Sequence, residues 1–315
     1  MKRLPTGLFL LFLFLHTVQA ADFGQHWIHA GTDSLNEQIW FKNTYLSCGH
    51  NRQASIRIVS GGRFLLYVNE RIVSSDVITH AEPFHEITMD VTRYLRPDSN
   101  VIAVWYAPAI FPNTNFTALP STQSASFARQ LSLTYYGTDA AGKDFAYHTG
   151  SDWQYAISNA SNTSITEQQD ATLQKDEWHG IGNYMPAWQN AEESICDDNQ
   201  SIYDDGWVYN TYRIRHIYKY QSFDDNGNEV TYRFGKSFDG WIRLTLREMS
   251  RGDWVYVNGL TYICSGEIDE QACRRFTTAT AGTAVITSNR SDIRQHINQI
   301  EAIEIQPFQH TSYLY

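Results

Sequence analysis

The sequence predicts an all-β protein made of two β-sandwich, jelly-roll-like modules. Three observations lead there. Short runs of β-branched and aromatic residues recur along the chain, and aromatics make up 14% of it. Turn-forming residues punctuate those runs, and no stretch holds a 3.6-residue apolar period with caps at both ends. Many short strands with almost no helix favour sandwiches over a parallel α/β sheet.

The runs follow one another in order. Ser55 to Val59 is a strand, then Gly61-Gly62 turns the chain into Arg63 to Asn69. Ile87 to Asp90 and Val101 to Tyr106 are separated by Arg96-Pro97-Asp98-Ser99-Asn100. Leu131 to Tyr136 and Phe145 to His148 flank the hairpin turn Asp139-Ala140-Ala141-Gly142. Tyr212 to Phe223 and Glu229 to Phe234 flank Asp225-Asn226-Gly227, whose Asn-Gly pair predicts a tight hairpin with both residues at positive φ. Asp90 to Leu95 and Ser291 to His296 each suit one helical turn. Trp40, Trp105 and Trp241 sit in strand-like runs and are expected between sheets. Ser158 to Gln174, polar and aperiodic, reads as an irregular surface segment, and Tyr184 to Gln200 as the junction. The first module is placed at 21–190, the second at 191–305 and a tail at 306–315.

Ahead of the modules, residues 1–20 read as a signal peptide. Lys2 and Arg3 begin it, Gly7 to Leu15 is apolar, and Val18-Gln19-Ala20 offers the small-x-small pattern for cleavage after Ala20. The apolar run is far shorter than the ~20 residues that span a bilayer. The protein is therefore expected to be exported, periplasmic or secreted, without membrane insertion after cleavage. Position 21, directly after Ala20, is not a cysteine, which argues against a lipid anchor. The formal net charge is −10, and losing Lys2 and Arg3 makes the chain more acidic still; nucleic acid is a poor partner for it.

Four cysteines, Cys48, Cys196, Cys264 and Cys273, allow disulfides in an exported chain. Cys264 and Cys273 are the nearest pair and the disulfide candidate, with buried inert thiols as the open alternative.

Several segments in order resemble the non-catalytic N-terminal β-sandwich modules of bacterial α-L-rhamnosidases. In the first module these are Gly61-Gly62-Arg63-Phe64-Leu65-Leu66-Tyr67-Val68-Asn69, with Glu70 where the family usually has glycine, then Met89-Asp90-Val91-Thr92, Tyr94-Leu95 and Asn100-Val101-Ile102-Ala103-Val104. Those stretches are also similar to galactose-binding-like jelly rolls. Leu131 to Tyr136 and Ser151-Asp152-Trp153 extend the match. In the second module Tyr232 to Leu244, Arg251-Gly252-Asp253, Tyr262 to Gly266 and Arg275-Phe276-Thr277 carry it, with Arg274 in place of a proline. The resemblance implies two sandwiches and a carbohydrate-related role. It stops after the strand Glu301 to Ile305, before the family's (α/α)6 catalytic barrel, so the chain reads as a two-module exported unit and the family's activity does not carry over.

Candidate sites follow from residue chemistry. Glycoside hydrolysis needs two suitably spaced carboxyl groups. Glu267, Asp269 and Glu270 beside Gly266 read as a solvated turn instead, as do Glu167, Asp170, Asp176 and Glu177 in the irregular segment; no catalytic residue is assigned. Asp224, Asn226 and Asn228 could offer oxygens to calcium, but the glycine spacing is not that of an EF-hand, and a plain hairpin is the favoured reading, with no cofactor required. Trp and Tyr remain, suited to stack on sugar rings. Tyr106, Phe111, Phe116, Trp178, Tyr184, Trp188 and Trp207 lie at strand ends or in loops and are the candidate carbohydrate contacts. The leading expectation is an exported non-catalytic accessory protein that binds glycans, rhamnose-containing ones included. The alternatives are an α-L-rhamnosidase-type hydrolase, alone or with a separately encoded barrel partner, and a cell-surface protein-interaction scaffold.

Overall fold

The computed structural model describes residues 26–32, 34–73, 86–108, 128–173, 178–181, 188–194 and 208–311, and it is all-β. The first sandwich opposes two sheets. One contains β1 (Trp27–His29), β3 (Gln53–Ser60), β6 (Glu86–Asp90), β8 (Leu131–Thr138), β9 (Asp144–His148) and β13 (Glu192–Ser194), in the order β13-β1-β8-β3-β6 with β9 also on β8. The other contains β2 (Glu37–Leu46), β4 (Arg63–Val68), β5 (Arg71–Ile72), β7 (Ser99–Ala107), β10 (Gln154–Asn162) and β11 (Glu167–Asp170), ordered β11-β10-β2-β7-β4-β5, with β12 (Gln189–Asn190) on β10. The two-residue period of a strand sends Ile56 and Ile58 inward while Ser55 and Arg57 face out. Phe41, Phe64, Leu66, Val104, Leu133, Tyr135 and Trp153 complete the core between the sheets.

The second sandwich is organised by β16 (Glu229–Arg247). Its first part pairs with β15 (Ser222–Asp225) and β20 (Ala279–Ser288), and its last part with β19 (Asp269–Cys273) and β21 (Ile297–Thr311), so one long strand serves both sheets. The strand passes close under β21 at Gly240, where an added Cβ would lie 1.9 Å from the Ile303 carbonyl oxygen. β14 (Val208–Tyr218) pairs with β21, while β17 (Trp254–Val257) and β18 (Leu260–Ile263) continue the sheet from β20. Val230, Leu244, Leu246, Val255, Leu260 and Ile286 are fully buried between them.

The two sandwiches share a sheet. β11 pairs in parallel with β18, Glu167 opposite Leu260 through Asp170 opposite Ile263. Beside this ladder Glu167, only 2% exposed, accepts hydrogen bonds from the backbone N–H groups of Arg275, Phe276 and Thr277 and from Thr277 Oγ1. Arg274, 5% exposed, reaches back to the carbonyls of Ile165 and Asn258. Arg63 of β4 donates to the Phe276 carbonyl, and the Phe276 ring packs against Trp105 at 6.1 Å.

Several sequence expectations change. Ser158–Gln174 is not irregular surface: β10, β11 and a 3-10 turn at Ala171–Leu173 occupy it, and Glu167, Gln169 and Ala171 are buried because this segment forms the junction. The first sandwich runs past 190, since β13 pairs with β1. Residues 306–311 continue β21 rather than starting a tail. The run 212–223 is broken between β14 and β15. At 225–227 the hairpin forms, but Gly227 alone of the Asn-Gly pair has positive φ. Asn69 and Glu70, where the family has glycine, both adopt positive φ (51° and 71°) to turn β4 into β5. Trp40 and Trp105 face away from the sandwich core, under Trp178 and Phe276, and Trp241 packs with Ile303 and Ile305 outside the second core.

Cys264 and Cys273 do not bond. Cys264 is fully buried in the second core, whereas Cys273 follows the core residue Ala272 on β19 and so points to the opposite face, toward Trp241 and Ile303. Burial pushes both thiols up to about 12. Because the thiolate is the nucleophile, iodoacetamide at pH 8 should alkylate exposed Cys48 in the folded protein and spare Cys264 and Cys273 until denaturant is added, as read by peptide mass spectrometry. Glu167→Ala strands buried N–H donors at the junction and should lower unfolding stability by about 3–5 kcal/mol in denaturant titration; a loss below about 1 kcal/mol would count against the junction's importance.

Candidate functional site

The outward positions of β3, β8 and β9 build an open groove of about 500 Å³. Strand register sets its rows. Gln53, Thr138 and Asp144 form one, Ser55, Tyr136 and Ala146 the next, and Arg57, Thr134 and His148 the third. In each row the inward neighbours are core residues, so the polar set is fixed in place by the packing beneath it.

Side-chain contacts define the groove further. Thr134 Oγ1 and His148 Nδ1 share a 3.0 Å hydrogen bond, and Thr138 Oγ1 donates to Asp144 Oδ1 at 2.9 Å. The Arg57 guanidinium lies 5.4 Å from the centre of the half-buried Tyr136 ring. His148 stacks on His26 at 4.2 Å with ring planes 11° apart. Beyond His26, the Glu193 carboxyl is held below its usual range, chiefly by the hydrogen bond it accepts from the Ser151 backbone N–H. The groove thus combines the Tyr136 ring with a cation, a carboxylate, an imidazole, the hydroxyls of Ser55, Thr134 and Thr138, and an amide. That set can receive the apolar C–H face of a sugar and satisfy hydroxyls as donor and as acceptor. Arg57 and Asp144 balance each other's charge, which suits a neutral ligand.

The aromatics singled out in the sequence lie elsewhere. Tyr106 is not a loop contact: it is fully buried in β7, its hydroxyl donates to the carbonyls of Ala128 and Gln130, and burial pushes its phenol well above the usual range. Trp178 and Trp188 do come together, on the outer face of the opposite sheet. Trp178 is 5% exposed and stacks on Trp40 at 5.1 Å with planes 8° apart, while Trp105 and Tyr67 meet it edge-on. Lys42 Nζ sits 4.4 Å over the Trp188 ring. A sugar stacks only on a free ring face, and the Trp178 ring is enclosed by its neighbours, so this cluster serves packing. Phe111, Phe116, Tyr184 and Trp207 lie outside the described residues.

The acidic candidates also have structural partners. Asp224 pairs with Arg233, Asp225 accepts from the Gly227 N–H, and the Asn226 N–H donates to the Glu229 carbonyl, all within the β15–β16 hairpin. Among the described residues no group of three or more His, Cys, Asp or Glu is arranged to hold a metal ion. Glu270 is 5% exposed, not solvated, and accepts from Tyr262 Oη and the N–H groups of Ser265 and Gly266. Asp269 pairs with Arg247. The groove itself was missed, although all three of its strands are evident in the sequence; reading alternate positions along them yields its lining.

No protein-family model matches the chain, and no curated protein matches it by sequence. Solved structures do. The chain is similar to α-L-rhamnosidase from Dictyoglumus thermophilum, with TM-score 0.74 and 16% identity over 90% of this chain and 36% of that one. It is equally similar to α-L-rhamnosidase from Aspergillus terreus, with TM-score 0.74, 16% identity, and 90% and 36% of the two chains covered. For Streptomyces avermitilis α-L-rhamnosidase complexed with L-rhamnose the values are 0.70 and 17%, over 88% and 29% of the two chains. The chain therefore spans about a third of the length of these relatives. The likeness establishes the fold: the paired sandwiches expected from the sequence resemblance are those of part of the α-L-rhamnosidases.

Proposed function

We propose that the protein is exported and binds carbohydrate, with neutral sugar residues seated in the groove on β3, β8 and β9. The observation that carries this reading is the Tyr136 ring set among Gln53, Arg57, Thr134, Thr138, Asp144 and His148 on one open face. Its fold relatives act on rhamnosides by name, and one was solved with L-rhamnose, so rhamnose-bearing glycans are the first class to try. The part described here supplies binding rather than cleavage. Its buried acids, Glu167 and Glu270, are spent on structural hydrogen bonds, and the exposed Asp269 is tied to an arginine.

Affinity electrophoresis in gels containing rhamnose-bearing polysaccharides should retard the protein. Tyr136→Ala and Arg57→Ala should each weaken the interaction about tenfold, a loss near 1.4 kcal/mol, without changing the melting temperature. Unchanged retardation in both variants would remove the groove from the reading, and no retardation on any glycan would remove binding altogether. Purified protein should release no rhamnose from an aryl rhamnoside. N-terminal sequencing of material secreted from a bacterial host should begin at Ala21; recovery of an intact Met1 terminus would refute cleavage.

A further inference from the structure

The second sandwich carries another recess, of about 470 Å³, where β16, β21 and the turn after β14 meet. Two rings, Tyr220 and Tyr232, line it, and Phe223 packs against both from beside the recess. Tyr220 meets Tyr232 edge-on at 4.9 Å, and Phe223 lies 5.6 Å from Tyr232 and 6.0 Å from Tyr220. Tyr220 is 38% exposed, so this wall, unlike the tryptophan cluster, keeps ring surface open.

Charge in the recess is not balanced. Glu301, its one acid, is taken up by Arg243 and by the Gln299 amide, which donates at 2.7 Å. Lys219 and Arg294 line the same recess, and among the described residues neither has a carboxylate partner. Arg294 instead lies 4.6 Å over the Phe223 ring and 5.9 Å from the Tyr232 ring. The nearby Asp224 is paired with Arg233, and Asp225 is engaged in its own turn.

An independent observation points to a ligand. Tyr232 lines the recess and is 1% exposed, and its buried hydroxyl has no hydrogen-bond partner; the Arg294 Nε of the same lining is buried and unpartnered as well. Buried polar groups are normally satisfied, and an orphan on the wall of an open recess marks where a bound oxygen completes the set. We infer that this recess binds an acidic sugar residue, a hexuronate, whose ring lies against Tyr220 and whose carboxylate is met by Arg294 and Lys219. Tyr232 and the amides of Asn298 and Gln299 then serve its hydroxyls. Arginine suits this role because its planar fork matches a carboxylate. The site is separate from the groove on the first sandwich and does not depend on it.

The test uses the full chain and two probes, sodium D-galacturonate and D-galactose, which differ in the carboxylate. Calorimetric titration should show saturable binding of galacturonate, weakened by raising the salt from 20 to 500 mM, and at least tenfold weaker binding of galactose. Arg294→Gln should abolish galacturonate binding. Lys219→Ala, at an exposed position that cannot unsettle the core, should weaken it several-fold, while Tyr136→Ala leaves it unchanged. If galacturonate and galactose bind equally, or if both Lys219→Ala and Arg294→Gln bind as the parent does while melting normally, the inference is overturned. Loss of galacturonate binding on Tyr136→Ala would move the acidic sugar to the other groove and overturn it too.

Discussion

The carboxylate of Glu167 is the point on which this architecture turns. It sits out of water at the end of β11, where two sandwiches meet, and the chain must supply donors to compensate its lost hydration. Three consecutive backbone N–H groups and a threonine hydroxyl do so, all from the loop that follows β19. That loop is thereby pinned to the first sandwich. Its Phe276 ring enters the tryptophan cluster, and its Arg274 satisfies carbonyls on both sides of the junction. The parallel β11–β18 ladder then lies between a fixed loop and a fixed sheet. Parallel pairing of strands far apart in sequence is weaker per residue than antiparallel pairing, and here the buried ion and its donors hold it in register.

Much of the fold was legible because strand periodicity is a local property. The runs at 55–59, 87–90, 101–106, 131–136 and 145–148 fall on observed strands, as does 63–69 up to Val68, and the Asn-Gly turn forms its hairpin. The junction was not legible for a definite reason. Residues 167–170 are polar because they face another module's backbone rather than an apolar core, and a local reading assigns polar aperiodic sequence to solvent. Glu167 and Glu270 were read as solvated on the same ground. For Glu167 the compensating donors arrive from 108 and more positions away, as with Arg275, whereas Glu270 is met by Tyr262, Ser265 and Gly266 from its own neighbourhood. Arg274 shows the same limit. The sequence shows it only as a departure from a family proline, whereas its guanidinium bonds carbonyls on both sides of the junction.

The aromatic residues carry a related lesson about ligand surfaces. Tryptophans near strand ends were the natural sugar contacts, but a ring enclosed by other rings has no face to give. Trp40, Trp105 and Trp178 enclose one another because the outer face of that sheet is itself covered, by Phe276 among others. The opposite sheet is left open, and there a single tyrosine with polar neighbours is worth more to a ligand than a cluster of buried tryptophans. Exposure and partner count, not aromatic content, decide which surface binds.

Two recesses on sandwiches joined by a shared sheet behave differently from two sites on a flexible tether. A linker spreads the second site over a volume that grows with its length, so the effective concentration falls as the tether lengthens. Here the Glu167 lock and the shared ladder fix the separation and orientation of the groove on β3, β8 and β9 and the recess beside Tyr220. A glycan able to reach both meets the second site without further ordering of the protein. One that cannot span them gains nothing from having two. On the proposed reading, the junction does more than join modules: it sets the spacing of neutral and acidic residues that a bound glycan has to match.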